Sequence, residues 1–201
     1  RTRTAARLTS SRYAKDQNGC SIDEFAYCHI DGDSEVFEVL PPEWELTEGD
    51  GSDMQELGHW YQHNSGGLML DCLDLDLHTF DSQDLIDEYR QHGFAKERIT
   101  LALRKDGRLC GCIIIHRTNI GLNLSDLTNC VKVLITDSRH VDRSVIQNAL
   151  RRIFRDYQLN GDMPVLMYPV ETVEKLNIPM EKKYCLWILN TRYSDKYFKF
   201  I

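Results

Sequence analysis

The amino-acid sequence predicts an α/β (α+β) fold: a mixed, mostly antiparallel central sheet with helices on both faces. Three observations predict it. Ile99 to Leu103 and Leu109 to His116 are apolar runs joined by Lys105-Asp106-Gly107, a tight hairpin turn of the Asp-Gly type. Val131 to Thr136 is a β-branched run that reads as a strand entering a core, with a polar turn and an amphipathic helix behind it. Pro164 to Val170 and Tyr184 to Leu189 are short apolar strands beyond that helix, so a hairpin meander gives way to a crossover and a mixed sheet.

In chain order, the first 34 residues read as an N-terminal extension or linker, and 35–201 as the folded domain. Arg1 to Lys15 is basic with few large apolar residues. Asp16 to Ser34 is turn-rich and acidic around one apolar patch, Phe25-Ala26-Tyr27, and reads as surface cover or the tail of a preceding domain. Val36 to Leu40 alternates as a strand should, and Pro41-Pro42 ends it. Thr47 to Ser52 is a loop with capping residues at its end, and Asp53 to His63 puts Met54, Leu57, Trp60 and Tyr61 at helical spacing. Gly66-Gly67 precedes a leucine-rich segment, and Asp81 to His92 predicts a second helix with Gly93 as its stop. The hairpin comes next, and Gly121 to Asn129 connects it to the strand at Val131. The long helix after that strand places Val145, Ile146, Ala149, Leu150, Ile153, Phe154 and Tyr157 on one apolar face. Asp137, Ser138 or Asp142 suits its N-terminus and Gly161 its exit. Glu171 to Leu176 predicts a brief helix, and Tyr197 to Ile201 a strand pairing with Tyr184 to Leu189.

At 201 residues the chain is long enough for one core that buries roughly 70% of its unfolded surface. A composition of 42% hydrophobic and 27% charged residues is that of an ordinary globular domain. The net charge of −7 argues against non-specific nucleic-acid binding, which needs a basic face to displace counterions. No apolar run approaches the ~20 residues of a membrane span, and no signal peptide is recognised. The chain starts at Arg1 rather than Met, so an upstream domain is one expected partner and a second copy of the chain another. Seven cysteines without CxxC spacing read as reduced core thiols of a cytoplasmic protein.

The chemistry expected is that of a phosphate cradle. A strand, a short polar turn and a helix N-terminus present unpaired N–H groups and the positive end of the helix dipole to an anion. That assigns Ile135, Thr136, Asp137, Arg139, His140, Arg143 and Ser144 to ligand binding, with the two arginines facing phosphate. The element order over Val36 to Ile201 resembles the GNAT acyltransferase superfamily. Lys105-Asp106-Gly107-Arg108-Leu109-Cys110-Gly111 is similar to its "DG.lvG" hairpin, Val131 to Thr136 with the following turn and helix to its acyl-CoA-binding unit, and Glu174-Lys175-Leu176-Asn177-Ile178 to its "YEKLGF" segment. The resemblance implies a GNAT-like acyltransferase domain at 35–201, akin to N-acyl amino acid synthases and aminoacyl transferases. It would move an acyl group from acyl-CoA (acetyl-CoA or longer) or an acyl carrier to a small-molecule or peptide amine.

Acyl transfer needs a base for the amine and an acid for the leaving thiolate. The candidates are Tyr184, His116 and Asp126, with Asn129 beside the last; each also has a structural reading, as strand core, strand-end residue or turn former. The glycine positions of the family's pyrophosphate turn are Val145 and Gln147 here, and its frequently catalytic tyrosine is Val173. These departures define the alternative expectation, a catalytically inactive GNAT-like module that binds a ligand or partner within a larger regulatory protein. Metal chemistry has little support: Asp71, Asp74 and Asp76 lack a calcium loop's glycine and glutamate, and His59 with His63 has no third zinc ligand.

Overall fold

The computed structural model describes residues 20–29, 39–65, 87, 89–118 and 129–189. The elements defined there are β1 (Cys20–Cys28), β2 (Trp44–Glu48), α1 (Gly51–Ser65), β3 (Lys96–Lys105), β4 (Arg108–Thr118), β5 (Cys130–Ile135), α2 (Arg143–Asp156), β6 (Val165–Tyr168), α3 (Val170–Lys175) and β7 (Lys182–Leu189). The strands form one sheet in the order β2-β3-β4-β5-β6-β1-β7. Every neighbouring pair is antiparallel except β5 with β6, which α2 connects as a crossover.

The sheet is covered on both faces, and alternation along the strands sorts side chains between two cores. Val131, Val133 and Ile135 of β5 join Val145, Ile146, Ala149, Leu150 and Ile153 of α2 and Val170 and Val173 of α3 in the first core. Leu134, Ile114, Leu166 and Phe25 face the other way and meet Met54, Leu57 and Tyr61 of α1. Consequently all six residues of β5 are buried, which is why the strand is apolar on both faces apart from Lys132. The apolar face expected for α2 is the face it buries.

Local chemistry explains the ends of the elements. Asp106 and Gly107 have φ of 48° and 77°, the pair of positive values that a type I′ hairpin turn needs. Asp50 and Asp53 cap α1 reciprocally: Asp50 Oδ1 accepts from Ser52 N and Asp53 N at 2.8 and 3.0 Å, and Asp53 Oδ2 accepts from Asp50 N at 2.9 Å. Asp53 also receives Arg104 Nη2 at 2.5 Å, joining the start of α1 to β3. Gly93, with φ 76°, follows helical residues 89–91 as expected of a stop.

Three expectations are corrected. The acidic segment at 16–34 is not surface cover throughout: β1 sits between β6 and β7, with Phe25, Ala26 and Cys28 buried, so the sheet draws on residues before 35. The first strand after Pro41-Pro42 is Trp44–Glu48, whose end falls in the expected loop; Trp44 is buried and Glu45 exposed, an alternation too short to stand out. The exit of α2 is Gln158 rather than Gly161. Gln158 has φ 51°, and Leu159 N donates to Phe154 O at 2.9 Å across it. Positions 36–38 of the strand expected at Val36 to Leu40, the strand expected at Tyr197 to Ile201, the leucine-rich segment, most of the helix at 81–92 and the connection 121–128 lie outside the described residues.

Candidate functional site

The turn between β5 and α2 is expected from sequence to present free amides, and in the structure those of Thr136, Asp137, Arg139, His140 and Val145 already have acceptors. Thr136 N and Asp137 N both donate to Cys110 O, at 2.9 and 3.1 Å, so β5 stays bound to β4 to its end. Ile135 is paired opposite Gly111 and buried in the first core. On the other side, β5 and β6 remain in parallel register up to Leu134 and Tyr168, without splaying.

The N-terminus of α2 is closed by a carboxylate of the chain itself. Asp142 is the N-cap; its Oδ1 accepts from Val145 N at 2.9 Å and from Ser144 Oγ at 2.7 Å. These hydrogen bonds, the one from Ser144 first, hold the Asp142 carboxyl below the usual carboxylate range. A second carboxylate, Asp137, lies buried in the same turn and receives Arg139 N and Nε, His140 Nδ1 and Arg108 Nη2. Burial pushes the Asp137 carboxyl up, but the hydrogen bonds from His140 and Arg139 outweigh it, and the net shift is downward. Arg139 and His140 are thus engaged by Asp137, while Arg143 donates Nη1 to Asn177 O at 3.0 Å. Val145, at one of the missing glycine positions, points into the core.

The expected acid–base residues do not converge. His116 is only 7% exposed, on the second face of the sheet, where Lys132 Nζ donates to its Nδ1 at 3.1 Å. Burial, reinforced by Lys132, Arg98 and Lys96, drives its pKa down to about 2. The ring is therefore neutral, its Nε2 carries the proton, and that atom is buried without an acceptor among the described residues. A group with so little affinity for a proton is a poor base for an amine. Tyr184 lies half-buried on β7 opposite Phe25 and packs on the second core. Four strand spacings separate β4 from β7, about 19 Å. Asp126 lies outside the described residues, Asn129 is part-exposed just before β5, and Val173 is fully buried.

Alongside α2, rather than at its tip, a cleft of about 250 Å3 opens between the helix, the ends of β1 and β6, and the loop after α3. Arg143, Gln147 and Arg151 line it at i, i+4 and i+8, one stripe of the helix, with Leu150 and Met167 as apolar floor. The loop is set by local geometry: Asn177 has φ 52°, and Ile178 N donates to Val173 O at 3.2 Å, a closing turn that brings Ile178 into the wall. Glu181 N donates to Tyr27 O at 2.9 Å, and the Glu181 carboxylate pairs with His29 Nδ1. Arg151 Nε is sealed from solvent and has no acceptor among the described residues, a condition that costs about 1–3 kcal/mol for a buried donor. Sequence reasoning singles out Arg143 and, as a departed glycine position, Gln147, but neither Arg151 nor His29, because the cleft draws on segments far apart in the chain.

Among the described residues no group of three metal-ligating side chains occurs, and no helix is long and apolar enough to cross a membrane. Cys28, Cys110 and Cys112 are buried free thiols, and burial raises the Cys28 thiol to about 11 and that of Cys112 to about 12. Compared with models of known families and with curated proteins, the sequence matches none.

Proposed function

We propose that this chain is a GNAT-like binding module that holds its ligand without transferring an acyl group. The observation behind this reading is Asp142: an ionised carboxylate occupies the helix-terminal seat where an acyl donor's pyrophosphate would be received. A second carboxylate, Asp137, lies in the same turn and engages Arg108, Arg139 and His140, cationic and donor groups that an incoming polyanion would otherwise recruit. Two positions weigh against thiolate chemistry as well: Val173 stands in place of a tyrosine, and His116 is withdrawn from solvent. Binding chemistry remains available along the side of α2, where arginines border an apolar cleft.

An acyl-CoA-dependent N-acyltransferase is the competing reading. One observation favours it, the parallel β5/β6 pair joined by α2 in an otherwise antiparallel sheet. The two are separated by calorimetry with acetyl-CoA, a longer acyl-CoA and free CoA at millimolar concentration, combined with thiol release in the presence of small amines and peptides. The module reading expects no acyl-dependent thiol release; turnover with any donor replaces it by the enzyme.

A further inference from the structure

We infer that the cleft beside α2 is a binding site for a compact organic carboxylate carrying a short apolar tail. The first ground is charge. Arg104, Arg108, Arg117, Arg139, Arg152 and Arg155 each reach a carboxylate. Arg143 and Arg151 reach none among the described residues, and both line this cleft. In a chain of net charge −7, two arginines without an acid beside a shared cavity mark a place where the negative charge comes from outside. Arg143 uses one donor on Asn177 O and keeps the rest of its fork, while Arg151 brings a buried Nε–H with no acceptor among the described residues. A carboxylate matches such planar donors two at a time.

The second ground is the rest of the lining. Glu181, the carboxylate in the wall, is already paired with His29, and the hydrogen bond from its amide to Tyr27 O holds the loop in place. Leu150, Met167 and Ile178 supply an apolar surface, which suits a tail and strengthens charged hydrogen bonds by excluding water. The third ground is size. About 250 Å3 falls just under the ~300 Å3 at which drug-sized pockets begin, too small for an intact CoA and suited to an acid of about six carbons.

The inference rests on the binding-module reading only in that the ligand is held unchanged. Its test is calorimetric titration of the full chain, at fixed ionic strength, with sodium hexanoate, sodium phosphate and hexan-1-ol. Hexanoate is expected to saturate at least tenfold more tightly than either control. Arg151→Gln should weaken it at least tenfold with the thermal midpoint within a few degrees of wild type, and Arg151→Lys should recover part of the loss. Should Arg151→Gln not fold, Arg143→Gln, at an exposed position, makes the same test. Absence of saturable hexanoate binding, equal or tighter binding of phosphate, or affinity unchanged in both folded glutamine variants overturns the inference. No CoA enters this titration, so that failure leaves the proposed function standing; acyl-CoA turnover would remove the proposed function and leave the cleft's ligand untouched.

Discussion

Asp142 Oδ1 accepts the backbone N–H of Val145 at 2.9 Å, so α2 begins with its own carboxylate in the position an anionic ligand would take. Loss of an N-cap of this kind costs about 1 kcal/mol, and asparagine retains most of it. Asp142→Ala is therefore expected to lower the urea midpoint by an amount corresponding to about 1 kcal/mol, with Asp142→Asn close to wild type. Equal stability of all three proteins would show that the cap does not hold the helix.

The pH dependence follows from the same carboxylates. Asp137 and Asp142 both titrate below the ordinary aspartate value of about 3.9. A carboxylate depressed in the folded state contributes stability that is fully present above the unfolded value and is lost as pH falls through the folded one. Replacing Asp137 by asparagine should therefore lower the midpoint at neutral pH and flatten the acid limb below about pH 4, the two proteins converging towards acid, as read by thermal midpoints in a pH series.

His116 acts in a different window. Its pKa is about 2 in the fold against 6.5 for an ordinary histidine, so between those values the unfolded chain binds the extra proton. Stability then rises with pH through that interval and falls as the solution is acidified below 6.5. The slope from one such group approaches about 1.4 kcal/mol per pH unit. His116→Gln should bring the denaturant midpoints at about pH 5 and about pH 7 together; an unchanged difference between them would show that the ring takes up its proton in the folded state.

Two glycines offer a matched pair. A Cβ on Gly111 would stand 3.0 Å from Leu134 O across the β4/β5 ladder, whereas one on Gly161 would meet nothing within 4 Å. Gly111→Ala is expected to destabilise by about 1–3 kcal/mol, and Gly161→Ala to be near neutral, by denaturant unfolding. Equal losses would mean that the close approach between these strands is not the constraint.

Much of the fold is legible locally. The Asp106-Gly107 turn between two apolar runs signals the hairpin, and the spacing from Val145 to Ile153 admits one buried helix face. Asp142 can be picked out as a capping residue, but the consequence, that capping fills the anion seat, needs the hydrogen bonds. β1 is illegible because Asp23 and Glu24 interrupt its apolar run; its burial comes from β6 and β7, more than a hundred residues later. His116 reads as a strand-end base, whereas β4 continues to Thr118 and turns the ring inward to Lys132. The exit of α2 at Gln158 carries no glycine to announce it. The cleft has no local signature beyond an arginine stripe, since its walls come from β1, β6, α2 and the loop after α3.

The central claim is that the tip of α2 is occupied by the chain's own carboxylate and receives no acyl donor. The most direct measurement follows the backbone amide resonances of Ser144 and Val145 by nuclear magnetic resonance while CoA is added to millimolar concentration. Both should stay fixed, in wild type and in Asp142→Asn. Saturable shifts of those two amides in the wild-type protein, moving together with Arg143, would contradict the account and place an acyl donor where Asp142 now sits.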